Sequence, residues 1–246
     1  MSRIFALMGS GENSPIMVTP HQKILKSTGD NLNPINLNTP YGFQENIDEL
    51  SAKIEKYFEV NVGTKITTSS DSLADIASAG WVFAGPGSPT YTLRKWRENG
   101  IDKALIDLIN RGSLVLASAA AMSVGAKVMP VYEMYKVGED PYWVDGINIL
   151  EAATGIRAAV IAHYNSAQGG THHTRFCFAG EKRMKVLESL LPSYVAVLGI
   201  DEHTGISFDL DTKTAEVYGK GVITFKKNGE SQTFANKETI PLSNLL

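Results

Sequence analysis

The feature that most constrains this chain is an alternation. Through its first two thirds, short apolar runs alternate with amphipathic stretches of helical period. Arg3–Met8 reads as a buried strand and ends in Gly9-Ser10-Gly11. Thr19–Ser27 carries a weak helical pattern, and Pro34–Asn38 is a second short strand. Asn46–Phe58 sets Ile47, Leu50, Ile54, Tyr57 and Phe58 near helical spacing, with Asn46 as the expected N-cap. Thr64–Thr68 is the next strand, followed by a helix over Ser72–Ala79 that Ser72 caps. Trp81–Ala84 runs as a strand into GPGSP. Tyr91–Arg97 and Asp102–Arg111 are helical, the second stopped by Gly112. Ser113–Leu116 is again a strand and enters SAAAMSVGA. This order implies an α/β fold of three layers: a mostly parallel central sheet with helices on both faces. Ligands of such sheets sit beyond the carboxyl ends of the strands. Three of those ends carry small or glycine-rich turns: Gly9–Glu12, Gly85–Pro89 and Ala117–Ala121.

Beyond Met129 the pattern loosens. Met129–Gly146 is aromatic-rich and reads as a loop or flap, which suits either a lid over a site or a subunit interface, so a homodimer stays open. Ala158–Ala162 is a strand, Glu181–Leu191 a helix ended by Pro192, and Tyr194–Ile200 and Gly205–Leu210 are strands. Val217–Phe225 and Glu230–Phe234 flank Asn228-Gly229, a strong hairpin signal. These segments predict antiparallel strands finishing one side of the sheet. With no internal repeat or linker, residues 1–246 are expected to form a single domain.

Composition narrows the function classes. A chain of 246 residues can bury enough surface to fold without disulfides or a metal. With 43% hydrophobic and 20% charged residues it is not a disordered chain. A net charge of −3 argues against a broad grip on nucleic acid. The one cysteine, Cys177, excludes a disulfide framework and a cysteine-based zinc site. No apolar run is long enough for a secretion signal or a membrane span, so a cytoplasmic chain without a membrane partner is expected.

The turn after Leu116 carries the first candidate chemistry. A strand-to-helix turn pushes the Ser118 side chain out over the sheet's carboxyl edge and frees the N–H of Ala119 to bind an oxyanion. The alternative is a buried serine opening an alanine-rich helix. A serine nucleophile needs a base, usually histidine. His163, His172 and His173 lie in or near AHYNSAQGGTHHTR, while His21 and His203 lie elsewhere, and local sequence does not choose among the three. A carboxylate to orient the base is available at Glu202, in GIDEHTG, or at Glu133, in the flap; Asp201 points to the opposite side from Glu202. The histidine-rich loop has no further metal ligand at a familiar spacing, so neither metal nor cofactor is expected. Gly9-Ser10-Gly11 lacks the last glycine of a dinucleotide fingerprint, and no Walker lysine follows it.

Taken together, GPGSP, SAAAM, HYNSAQGGTH and GIDEHTGISFDL resemble the peptidase E and cyanophycinase family of serine peptidases, over roughly Trp81 to Gly221. The resemblance implies a class I glutamine amidotransferase-like fold and a serine-type hydrolase acting on small peptide or peptide-like amides. It assigns Ser118 as nucleophile, His172 as base and Glu202 as the orienting acid, with Glu133 as the competing carboxylate. Ala119 and Gly87 become the oxyanion donors. The family favours substrates with acidic residues, and Arg175 and Lys127 are basic residues near the motifs in sequence. The chain departs from the family pattern at Leu116 and Ala120, where glycines are common, and at Pro86, which has no N–H to donate. If position 120 required a positive φ, its Cβ would cost about 1–2 kcal/mol. A catalytically silent relative that binds a ligand or partner is therefore the second reading. Glutaminase chemistry is rejected, because Cys177 does not stand at the elbow.

Overall fold

The computed structural model describes residues 2–30, 32–171 and 173–245. Strand and helix alternate as the sequence predicts: β1 (Ile4–Met8), α1 (Val18–Thr28), β2 (Ile35–Leu37), α2 (Ile47–Tyr57), β3 (Thr67–Ser69), α3 (Leu73–Ser78), β4 (Trp81–Ala84), α4 (Pro89–Asn99), α5 (Ile101–Ile109), β5 (Ser113–Ala117) and α6 (Ala119–Ser123). Then follow β6 (Lys127–Val128), β7 (Val144–Asp145), α7 (Ile149–Thr154), β8 (Ala158–Ile161), α8 (Gly180–Leu190), β9 (Ala196–Ile200), β10 (Thr204–Asp209), β11 (Thr214–Gly219), β12 (Val222–Lys227), β13 (Glu230–Ala235) and β14 (Thr239–Pro241).

The main sheet has the order β14-β11-β10-β1-β5-β4-β2-β3. Its β1, β5, β4, β2 and β3 run parallel, whereas β10, β11 and β14 add antiparallel strands beyond β1. All residues of β1, β4 and β5 are buried. The unbroken apolar runs follow from this, because both faces of a central parallel sheet are covered. Phe5 and Leu7 of β1 face one core together with Leu105 and Leu108 of α5. Ile4, Ala6 and Met8 face the other, with Ile24 of α1 and Ile54 of α2. Pairing of Leu7 with Leu116 and Met8 with Ala117 brings the ends of β1 and β5 level. The turns after these strands therefore open at one edge.

The C-terminal half differs from expectation first in how its strands pair. The run Val217–Phe225 is two strands, β11 and β12, broken at Gly219-Lys220-Gly221, and they join different sheets. The hairpin forms at Asn228-Gly229, both with positive φ (53° and 84°), as an Asn-Gly turn requires. It extends a separate sheet of order β13-β12-β9-β8. Val160, Leu198 and Ile223 of that sheet share the core of Phe5 and Leu7, so part of one face of the main sheet is covered by strands rather than helices. At the helix caps, the Ser72 hydroxyl accepts from Asp75 N–H at 3.2 Å, but Asn46 makes no side-chain cap to the backbone. Residues 129–146 are more ordered than a loop. Met129, Val131 and Met134 pack in a third core, Glu133–Val137 forms one wide turn, and Tyr132 and Tyr142 stay exposed.

Candidate active site

Ser118 stands between β5 and α6, at the sharp bend the sequence suggested. Its backbone lies at φ 49°, ψ −113°, a conformation rarely held by a residue with a Cβ. Its N–H donates to Met8 O at 2.9 Å, which ties the bend to the end of β1. Ala119, the first residue of α6, presents one of the N–H groups that a helix start leaves without an internal partner. Ala120 is fully buried, is not among the positive-φ residues, and its N–H reaches Gly85 O at 3.3 Å. The alanine at this place is therefore unstrained, and its methyl belongs to the main core.

Two further strand ends converge on the serine. His163 follows β8 by two residues, and its Nε2 lies 3.0 Å from Ser118 Oγ. Glu202 follows β9 by two residues, and its Oε1 lies 3.0 Å from His163 Nδ1. A carboxylate only accepts, so the Nδ1 proton faces Glu202 and Nε2 is left to accept from the serine hydroxyl. Glu202 is itself held, with its N–H donating to Asn165 Oδ1 at 2.8 Å and Gln168 Nε2 donating to Oε1 at 3.3 Å. The His163 backbone has φ 49°, and its carbonyl accepts from Ser166 and Cys177 N–H groups at 3.1 and 3.3 Å. Ser118, Ala119, Gly87 and His163 open on one cavity of about 300 Å³, whose wall also includes Tyr132 and Lys136. Gly87, at φ 152°, admits no side chain: a Cβ there would lie 1.7 Å from Pro40 O.

The sequence profile of Peptidase family S51 matches residues 5–215. The chain belongs to peptidase family S51. No curated protein sequence matches it. Among solved structures, a peptidase from an acI-B1 Actinobacterium is similar with a TM-score of 0.79 at 19% identity, covering 98% of this chain and 97% of that one. A putative peptidase E protein from Listeria monocytogenes EGD-e is similar with a TM-score of 0.55 at 14% identity, covering 95% and 98%. At these identities the likeness is one of fold.

In this S51 peptidase the histidine expectation has to move. His172 lies outside the described residues, and the ring between Ser118 and Glu202 is that of His163. His173 is exposed and lines a different cavity. His203 meets Ser14 Oγ at 3.3 Å, and His21 is buried with Nε2 donating to Glu12 O at 3.0 Å. A signal for His163 was present in the sequence: like Ser118 and Glu202, it stands immediately beyond the end of a buried strand. Glu133, the competing acid, accepts from Thr90 Oγ1 at 2.7 Å and meets no histidine in the described contacts. Asp201 points away from the site and accepts from Val222 N–H at 2.9 Å. Arg175 is paired with Glu181 at 2.6 Å and Lys127 with Asp145, so the basic group on the cavity wall is Lys136. Cys177 also lines the cavity, but burial pushes its thiol up to about 12, which leaves it protonated and unreactive. Among the described residues no three His, Cys, Asp or Glu side chains group to hold a metal, and no helix is long and apolar enough to cross a membrane.

Proposed function

We propose that this S51 peptidase is a serine hydrolase of small peptide or peptide-like amides, working through Ser118, His163 and Glu202. The observation that carries this reading is the continuous pair of 3.0 Å hydrogen bonds from the strained serine through both nitrogens of one imidazole to a carboxylate. Ser118 Oγ attacks the substrate carbonyl while its proton passes to His163 Nε2. The charge that develops on the carbonyl oxygen is met by the N–H groups of Ala119 and Gly87, which border the same cavity. The intermediate collapses as His163 returns the proton to the leaving amine, and water, activated by the same ring, releases the acyl group. Glu202 fixes the tautomer throughout and stabilises the imidazolium.

The cavity, at about 300 Å³, is at the small end of ligand sites and suits a short substrate. Lys136 on its wall favours a substrate with a carboxylate. The silent alternative loses its main support, since Ala120 carries none of the strain that would have disabled the elbow. The test is a fluorophosphonate probe. Stoichiometric labelling of the unsubstituted protein, absent in Ser118→Ala and severely slowed in His163→Ala, is the expected result. An unlabelled protein, or label that persists in Ser118→Ala, overturns the assignment.

A further inference from the structure

The two oxyanion donors come from different elements. Gly87 belongs to the turn between β4 and α4, and Ala119 to the first turn of α6. Their spacing depends on the bonds that join these segments, and two such bonds meet on one peptide group, the one between Ala119 and Ala120. Its N–H, from Ala120, donates to Gly85 O at 3.3 Å. Its carbonyl, from Ala119, accepts from Ser123 Oγ at 2.8 Å, and the same hydroxyl lies 3.0 Å from Pro89 O. Gly85 and Pro89 stand two residues before and two residues after Gly87. The donor turn is therefore held at both ends against the start of α6. Pro40 O closes it from another side, accepting from Ser88 N–H at 2.9 Å.

Ser123 supplies the second of these ties. It lies about one helical turn after Ala119, and a helical serine commonly bonds back to the carbonyl four residues earlier. The contact with Pro89 is not local, because it crosses from α6 to α4. A hydroxyl carries one proton, so the two carbonyls share it in a three-centre bond. The side chain is fully buried, as are Met122 and Val124 on either side of it. Alanine, the residue at 119, 120 and 121, would bury no hydroxyl in such a place. The one polar side chain of α6 thus stands where it bridges the backbone on both sides of the oxyanion site.

We propose that Ser123 is a positioning residue of the oxyanion hole. Through the carbonyls of Ala119 and Pro89, its hydroxyl sets the spacing of the Ala119 and Gly87 N–H groups. Donors of this kind work only when both lie about 2.7–3.1 Å from the place where the oxyanion forms, so a small change in spacing weakens them. Ser123 is not on the wall of the cavity, and it takes no part in the proton path from Ser118 Oγ to His163 Nε2 and on to the leaving group. The inference rests on the hydrolase reading above.

The test is the fluorophosphonate reaction of Ser123→Ala, measured over a range of probe concentration and pH, with folding checked by circular dichroism. The maximal labelling rate should fall about 10–100-fold, the scale of a displaced or lost oxyanion donor. The probe concentration giving half of that rate should change little, and so should the acid limb of the pH profile, which His163 sets. A folded Ser123→Ala that labels at the unsubstituted rate overturns the proposal. So does a loss accompanied by a shifted acid limb, because that would mark a general disturbance of the site. If the variant does not fold, the unsubstituted protein decides by NMR. The Ser123 hydroxyl proton should exchange slowly and show a scalar coupling to the Pro89 carbonyl carbon; a proton coupled to the Ala119 carbonyl alone overturns the proposal. Failure here and failure of the hydrolase reading are separable. An unsubstituted protein that is not labelled defeats the hydrolase reading and the role of Ser123 with it, whereas equal labelling of both proteins defeats the role of Ser123 alone.

Discussion

The bend at Ser118 can be weighed by two substitutions that differ only in a Cβ. At φ 49°, ψ −113° a residue with a side chain pays about 1–3 kcal/mol in strain, whereas glycine adopts the conformation freely. Ser118→Ala removes the hydroxyl and keeps the strain; Ser118→Gly removes both. Each variant loses the 3.0 Å contact to His163 equally, so their difference isolates the backbone. Glycine gives back about 0.4–1 kcal/mol through the greater freedom of the unfolded chain. Ser118→Gly should therefore be more stable than Ser118→Ala by about 1 kcal/mol, or about 2–4 °C in Tm for a chain of this size. Urea and thermal denaturation of the two variants, followed by circular dichroism, measure it. A glycine variant that is no more stable than the alanine variant refutes the reasoning, because strain held by the surrounding fold is what sets the nucleophile above the sheet edge. Neither variant should react with a fluorophosphonate.

Other outcomes separate the remaining roles. His163→Ala should lower the labelling rate about a thousandfold or more, with little further loss on combining it with Ser118→Ala, since the two act as a unit; the exposed His173→Ala should stay near the unsubstituted rate, and a collapse there would reverse the choice of histidine. Gly87→Ala forces a methyl against Pro40 O and should cost about 10²–10³ in turnover by moving an oxyanion donor, while leaving the Ser118–His163 contact intact by NMR. Acid stability should report His21. The unfolded chain binds its proton as pH falls through 6.5, whereas the fold resists until about 4, so stability present above 6.5 is lost across that window, by about 3 kcal/mol in all. Urea titrations between pH 7 and 4 should show this slope, and His21→Phe should flatten it.

Much of the scaffold was legible in the chain because it rests on local patterning. Apolar runs such as Ile4–Met8 and Trp81–Ala84 are buried on both faces, and the small, buried residues from Ala117 to Ala121 mark a place where strand and helix meet closely. These features fix the α/β alternation, the edge where a site must lie, and Ser118 at its bend. The separate sheet was not legible, because the break at Gly219–Gly221 sends two adjoining strands to different partners, and pairing is a long-range choice.

The histidine was likewise decided only in three dimensions. Three imidazoles lie in one stretch of sequence, and the only local hint is that His163 alone directly follows an apolar run. The choice comes from residues far away in sequence: β9 runs beside β8, so the end of one strand sets Glu202 against the end of the other, and His163 meets it there. Of the two bonds to the His163 carbonyl, one is local, from Ser166 N–H, and the other comes from the chain's return at Cys177. A sequence specifies which groups can do chemistry, since that depends on residue type and local turns. Which of them meet depends on strand pairing and burial summed over the whole fold.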